Sequence, residues 1–581
     1  MSTSKERILA RAAKLSSTKQ ALLEKRLRGE VESSSSSSTI VVRRFSVAPL
    51  PLSFGQQRLW FLQQLEPDNS FYNEHFAIQL IGLLEVAALK KSLNEIVKRH
   101  EVLRTTFEMC EGQPVQIIAP NLTFALPVVD LRQFSEARQR KEVQRLSLEQ
   151  SQRPFDLVQG PLLRCSLLEL SERNHVLLFT MHHIVYDGWS GSIFTHELSA
   201  LYQAFSTGKS ALLPDLPIQY SDFAVWQRHE LQESKLAPQL SYWKQQLKNA
   251  PPLLQLPTDR PRPLVPSYRG ARQSFLLPKD LIDALKVIGR KVEATLFMTL
   301  LTAFKILLYR YTGQEDIVVG SPTANRTRTE IEGLIGYFVN TLVMRTTLSG
   351  NLTFEELLGR VRQVMIDAYA NQDVPFEKLV EELQPDRDIN YNPLFQVSFI
   401  LQNTPKVEFE LPGLTLTPFE VESTKAVFDL RLDVVETDLG LEGFWEYNTD
   451  LFDASTVSRM RGHFEILLRA IAANPQQQVD QLPLLTEAEQ YQLVEWNQTQ
   501  TSYPKKACIH ELFEAQVEKT PDAVAIVFEG QKLTYLELNQ RANQLAHYLK
   551  KLKVKPEVLV GICVERSLEM VIALLGILKA G

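Results

Sequence analysis

Met181-His182-His183-Ile184-Val185-Tyr186-Asp187-Gly188-Trp189-Ser190 holds the residue types that could do chemistry. An imidazole can take or give a proton near neutral pH, and two lie side by side here. Adjacent side chains on an extended segment point to opposite sides. The pair therefore divides its work: one ring faces a cavity and the other packs or hydrogen-bonds inside. Asp187, four residues past His183, is read as the lock on the loop. A buried carboxylate there needs a basic partner, and Arg326 and Arg345 are both candidates. Gly188 lets another group approach closely, and a helix start beyond it would offer unpaired N–H groups to a forming oxyanion. A bare His-His reads most simply as a satisfied core pair. The Asp-Gly at this offset turns the reading toward a site. Zinc lacks its ligand spacing, since His175 and His196 stand at the wrong intervals. No Ser sits in G-x-S-x-G, and neither Cys110 nor Cys165 has a diagnostic surround. What remains is a histidine acting on a nucleophile that the substrate carries, which is direct acyl transfer.

Such a loop needs a strand before it and a helix after it. Val176 to Met181 has the content of a buried strand, and Ile193, Leu198, Leu201, Tyr202 and Phe205 follow at helical intervals. Phe76 to Ile81, Ile317 to Gly320 and Phe395 to Leu401 read as further strands. A helix carrying Phe297, Leu300, Leu301, Phe304, Leu307 and Leu308 precedes the second of these. Leu212 to Pro217 and the proline-rich Pro251 to Pro266 mark a crossover between two halves. The stretch from Asn474 to Pro504 reads as a linker. A new pattern follows: a helix on Leu512, Phe513 and Val517, a strand from Ala523 to Phe528, a turn at Gly530 and a helix opening near Leu533.

The 581 residues are 44% hydrophobic and 23% charged, which excludes wholesale disorder, collagen and a coiled-coil rod. The length alone allows about four domains or subdomains. A net charge of −5 without an aromatic-basic stripe argues against a nucleic-acid binder. The four cysteines are far apart, which argues against a disulfide framework. No signal peptide is read, and a cytoplasmic location is expected. The first 44 residues differ. Lys5, Arg7, Arg11, Lys14, Lys19, Lys25, Arg26, Arg28, Arg43 and Arg44 outnumber Glu6, Glu24, Glu30 and Glu32. Two short basic helices and the Ser33 to Ser38 tether would make a docking arm for an acidic partner, or a solvated terminus.

The His182-His183-x-x-x-Asp187-Gly188 segment resembles the signature of the chloramphenicol acetyltransferase-like superfamily. Residues 46–480 resemble a condensation domain of a nonribosomal peptide synthetase. Further motifs carry the likeness in order: Leu52 to Leu62, Arg99 to Phe107, Tyr220 to Arg228, Ile335 to Arg345, Asn371 to Val380 and Arg387 to Gln396. Each alone is weak, and the ordered set is specific. Two departures stand out: Tyr186, where relatives usually carry a small residue, and Asn371, where they often carry His. Tyr186 would narrow a channel.

The resemblance implies an α/β sandwich fold, with two chloramphenicol-acetyltransferase-like lobes in a V-shaped pseudo-dimer. The lobes would span 45–215 and 216–480, after the arm at 1–44. A linker at 481–504 and the truncated start of an adenylation domain at 505–581 would follow. His183 would lie in a tunnel between the lobes as orienter and base. Asn340 would be a polar group near the reaction centre, and His182, Asp187, Arg326 and Arg345 would be structural. No cofactor or metal is expected on the chain itself. Phosphopantetheine would arrive on donor and acceptor carrier proteins, and an upstream synthetase or acyl-loading protein would dock on the arm. The Asp187 to Ser190 ending and Arg58 to Leu62 resemble the subtype taking an L-configured donor terminus. A lipid-starter condensation domain, a coenzyme A-dependent acyltransferase and a non-catalytic recruitment module are the rival readings. Without the phosphate loop, the tail is not expected to adenylate alone, and Leu574, Leu575 and Ile577 would lack partners.

Overall fold

The computed structural model describes residue 40 and residues 49–384, 390–402, 410–419 and 425–581. The basic arm, Ile40 apart, lies outside the described residues, and so do Arg387, Asp388 and Ile389 of the last motif. The chain forms two units, divided between Thr486 and Glu487.

Within the larger unit, the strand that delivers the histidines is Asn174–His182, buried from His175 to its end. A near-continuous apolar run is what a central strand requires, because both its faces are covered. The order of its sheet is Leu414–Pro418, Asn73–Gly82, Asn174–His182, Leu163–Ser171, Val128–Asp130. The Asn73–Gly82 strand runs antiparallel to the histidine strand, with Asn73 opposite His182 and Glu74 opposite Met181. The helix Gly188–Ser206 follows the loop and buries Phe194, Leu198, Leu201 and Tyr202 at helical spacing. Burying each such side chain contributes roughly 1.5–3 kcal/mol. The face they form packs on the helix Val86–Arg99.

A second lobe is built on a six-stranded sheet, in the order Asn340–Thr347, Asp316–Thr323, Val397–Gln402, Leu430–Thr437, Gly440–Asn448, Gly270–Pro278. Its central helix, Leu296–Thr312, is buried on nearly every face. Thr295 caps its start and Gly313, at φ 69°, closes its end. Glycine suits that left-handed turn because it has no Cβ to clash.

Packing does not follow the chain-order boundary expected at 215/216. The helix Tyr220–Glu230 and residues 331–338 belong to the first core, because Phe338 lies 4.9 Å from the Tyr220 ring and 4.7 Å from that of Phe223. The strand Leu414–Pro418 likewise joins the first sheet, although it comes late in the chain.

The smaller unit holds the helices Glu487–Trp496, Ile509–Lys519, Tyr535–Lys551 and Leu568–Ala580 and the hairpin Val524–Phe528 with Gln531–Thr534. Part of the expected linker is thus helical. Sequence patterning misses it because that helix buries no residue, so no apolar stripe marks it. Leu575 is not left unpartnered: it packs with Leu533, Leu538 and Ala542. Among the described residues, no single helix is long and apolar enough to cross a membrane.

Candidate active site

His182 ends the strand and His183 opens a short 3-10 turn, so the two rings part at once. His182 is 1% exposed and packs between Tyr72 and Phe155. Its Nδ1 accepts from the Ile184 N–H at 3.1 Å. Burial, with His183 and Arg164 nearby, pushes its ring down to about 3, so it is neutral. His183 turns the other way, and its side chain is 27% exposed. The His183 N–H donates to Tyr72 O at 2.8 Å, and Nδ1 donates to Tyr186 O at 2.8 Å. A carbonyl only accepts, so this contact fixes the tautomer and aims Nε2 outward.

Asp187 does not touch either imidazole in this arrangement; it ties the loop to the rest of the unit. It caps the Gly188–Ser206 helix, with Oδ1 accepting from Ser190 N–H at 2.8 Å and from Ser190 Oγ at 2.7 Å. Arg326 Nη2 donates to Oδ1 at 3.1 Å, and the Phe338 N–H donates to Oδ2 at 3.0 Å. The ion pair is dry, with side-chain exposures of 0% for Asp187 and 1% for Arg326. Arg326 also donates to Ile331 O and Leu334 O, so its fork is used on backbone as well. The Gly336 N–H donates to Ser190 Oγ at 3.0 Å. Asp187, Ser190 and Arg326 therefore clamp residues 331–338 against the histidine loop, and the Tyr337 ring comes to 5.4 Å from the His183 ring.

Arg345, the other candidate partner, is elsewhere. Antiparallel pairing of Asn340–Thr347 on Asp316–Thr323 brings it to Asp316, at 2.7 Å, and it donates to Gln246 O and Lys248 O. Asn340 spends its side chain on backbone. Its amide donates to Gln372 O and Val374 O, and its Oδ1 accepts from the Phe376 N–H. Those bonds occupy the amide on backbone and pin the turn before the helix Phe376–Leu383. Gly188 is exposed, and a Cβ there would meet nothing within 4 Å. Tyr186 is buried rather than lining a channel, with its hydroxyl against Gly191 and its ring 5.9 Å from Phe76.

Motifs far apart in the chain meet here. Gln56, fully buried, donates to Ile184 O at 3.3 Å. Ser53 Oγ lies 2.9 Å from Tyr220 Oη, which donates to Tyr337 O at 2.6 Å. Gly55 is required where it stands, because a Cβ would come within 2.7 Å of the Tyr337 ring. Sequence reasoning singles out neither Tyr337 nor Gln56, although both sit in quoted motifs. It misses Glu74 altogether. Glu74 Oε1 lies 3.0 Å from His183 Nε2, and its side chain is 40% exposed. The available signal was a carboxylate at the edge of an apolar strand, but nothing local linked it to the histidines. A cleft of about 810 Å³ lies at the far end of the Gly188–Ser206 helix, among Lys91, Lys98, Leu201 and Phe205, and includes no residue of the histidine loop.

A family model described as a condensation domain matches residues 48–494, and one described as an AMP-binding enzyme matches residues 513–581. A linear gramicidin synthase protein of Brevibacillus parabrevis is 51% identical over 92% of this chain, which spans 10% of that protein. Phosphinothricin tripeptide synthetase PhsC of Streptomyces viridochromogenes is 41% identical over 99% of this chain, which spans 53% of it. The crystal structure of the X-domain from teicoplanin biosynthesis superposes with a TM-score of 0.71 at 28% identity, covering 77% of this chain and 100% of that one.

Proposed function

The chain belongs to the condensation-domain family of nonribosomal peptide synthetases, and we propose that it joins two carrier-bound substrates through an amide bond. The α-amine of an acceptor aminoacyl thioester attacks the carbonyl carbon of a donor thioester. The C–N bond forms, the donor C–S bond breaks, and the thiolate leaves. The proton lost by the amine passes to His183 Nε2 and then to that thiolate. Both substrates would arrive on phosphopantetheine arms of carrier proteins. The basic arm at 1–44 would dock the donor's protein, and Asp187-Gly188-Trp189-Ser190 favours an L-configured donor terminus.

The observation that carries this reading is the fixed tautomer of His183. Its Nδ1 is held by Tyr186 O, which leaves Nε2 as the nitrogen presented to an incoming group. Magnitudes assign the larger share to placement. Holding two tethered reactants in line contributes about 7–11 kcal/mol. General-base help contributes about 10²–10⁴-fold. An α-amine of pKa about 7.7–8.0 is already partly neutral near pH 7, so prior deprotonation matters less.

The test is amide formation with both carriers loaded, read by intact-protein mass spectrometry. His183→Ala is expected to lower turnover by about 10²–10⁴-fold. Undiminished turnover would overturn the base and orienter roles together. Equal use of a free acyl-coenzyme A donor would favour a small-molecule acyltransferase instead.

A further inference from the structure

Both nitrogens of His183 face an oxygen. Tyr186 O accepts from Nδ1, so Nδ1 carries a proton. Glu74 Oε1 stands 3.0 Å from Nε2, and a carboxylate also only accepts. An imidazole protonated at Nδ1 alone has a lone pair at Nε2. The Nε2–Oε1 contact therefore closes only with a second proton between the two atoms. In this geometry the base is already loaded, although the reaction needs Nε2 vacant when the amine attacks.

We propose that Glu74 is a positioning residue for the base: it holds His183 Nε2 until the amine displaces it and stays as counter-ion to the single positive charge carried through condensation. This rests on the role given to His183 above. An α-amine of pKa about 7.7–8.0 enters largely as ammonium near pH 7. Beside an imidazolium it would meet like-charge repulsion, so one proton is released to water on binding. One proton then remains between the amine and Nε2, opposite Glu74. As the C–N bond forms, that proton settles on Nε2 and restores its pair with Glu74. As the C–S bond breaks, Nε2 passes that proton to the thiolate and takes the one shed by the new amide nitrogen, so His183 ends charged opposite Glu74. No other reactant is required.

Backbone pairing sets the geometry. Glu74 lies beside Asn73, which is opposite His182, and the His183 N–H is bonded to Tyr72 O. The two side chains remain partly open to water, so they can be parted by a ligand. Arg431 and Arg272 of the second lobe, and Lys425, also act on Glu74. Those arginines have direct partners of their own, Asp433 and Glu446. Asp187, His182, Tyr186 and Tyr337 surround His183, and Asp187 is taken by Arg326. Burial works against charge on Glu74, yet His183, Arg431 and Arg272 hold its carboxyl down at about 2. Burial also opposes charge on His183, yet Glu74, Tyr186 O and Asp187 raise it above the ordinary histidine value. Both directions describe a charged pair.

The experiment compares the pH profile of single-turnover amide formation for the full chain and for its Glu74→Gln and Glu74→Asp variants, with loaded carriers. In parallel, the His183 ring is titrated by NMR on ¹⁵N-histidine-labelled protein and assigned by its loss in His183→Ala. Glu74→Gln is expected to move the acid limb about one pH unit or more lower, as removal of an adjacent opposite charge should. The plateau should fall about tenfold, and the ring titration should move down with the limb. Glu74→Asp should restore most of both. An unmoved limb and an unmoved ring titration overturn the proposal. Full activity of His183→Ala sinks the base reading instead, and the ring titration still reports whether Glu74 holds the proton.

Discussion

His182 and Asp187 occupy the dry side of one short loop; His183 and Glu74 occupy its wet side. On the dry side, Asp187 and Arg326 are sealed from water and bonded to Ser190, Phe338, Ile331 and Leu334. A buried charge is tolerated when it is paired and bonded in this way; only Arg326 Nε in the pair is left without an acceptor. On the wet side, Glu74 and His183 meet through one contact at 3.0 Å and keep access to solvent. The first pair is built to hold position, and the second can be parted and re-formed. A condensing site needs both: a fixed ring, and a nitrogen that changes partners.

Breaking the dry pair should have the largest effect. Asp187→Ala leaves Arg326 buried without its counter-charge, and urea unfolding should show a loss of about 3–5 kcal/mol. A loss below about 1 kcal/mol would mean the clamp is not structural. His182 sharpens the contrast through pH. Its folded value of about 3 lies below the ordinary 6.5, so the unfolded chain binds the extra proton first. Stability should therefore fall as pH drops from about 6.5 toward 3, by on the order of 1.4 kcal/mol per unit at most. His182→Asn, which keeps an acceptor for Ile184 N–H, should flatten that part of the curve when Tm is followed against pH.

Gly191→Ala probes the packing behind the loop. Its new Cβ would stand 2.6 Å from the Tyr186 hydroxyl, an overpacking expected to cost about 1–3 kcal/mol. The double variant with Tyr186→Phe should recover most of this, since the ring carbon is 3.6 Å away. No recovery would refute the buried placement of Tyr186. Glu74→Gln should have the smallest effect on stability, less than about 1 kcal/mol, because the pair is open to solvent. The carboxylate's share is present above its ordinary 4.5 and lost as pH falls below it. The imidazole's share is present below 6.5 and lost as pH rises through its raised value. The difference between the proteins should thus peak between pH 4.5 and 6.5.

Much of the site was legible residue by residue. The strand into His182 and the helix after Asp187 each follow from nearby residues. The two rings face opposite ways as expected, but the 3-10 turn opening at His183, rather than alternation along one extended segment, parts them. The choice between Arg326 and Arg345 was not legible, because both are basic residues far from Asp187 in sequence. Asn340 sits in a recognisable motif, but its bonds to residues 372–376 depend on a turn that sequence spacing does not locate. The crossing of Tyr220–Glu230 and Leu414–Pro418 into the first lobe was hidden for the same reason.

What the sequence by itself determined is local: a buried apolar run, a capping aspartate and a helical stripe, each specified by neighbours within a few residues. Only the tertiary structure decided which charge answers which. Pairing Asn73 with His182 brought Glu74 to His183, and pairing Arg345 with Val318 carried it to Asp316. Strand register couples residues about a hundred positions apart in one case and about thirty in the other, and it is chosen by the burial of whole faces rather than by the charges that it brings together.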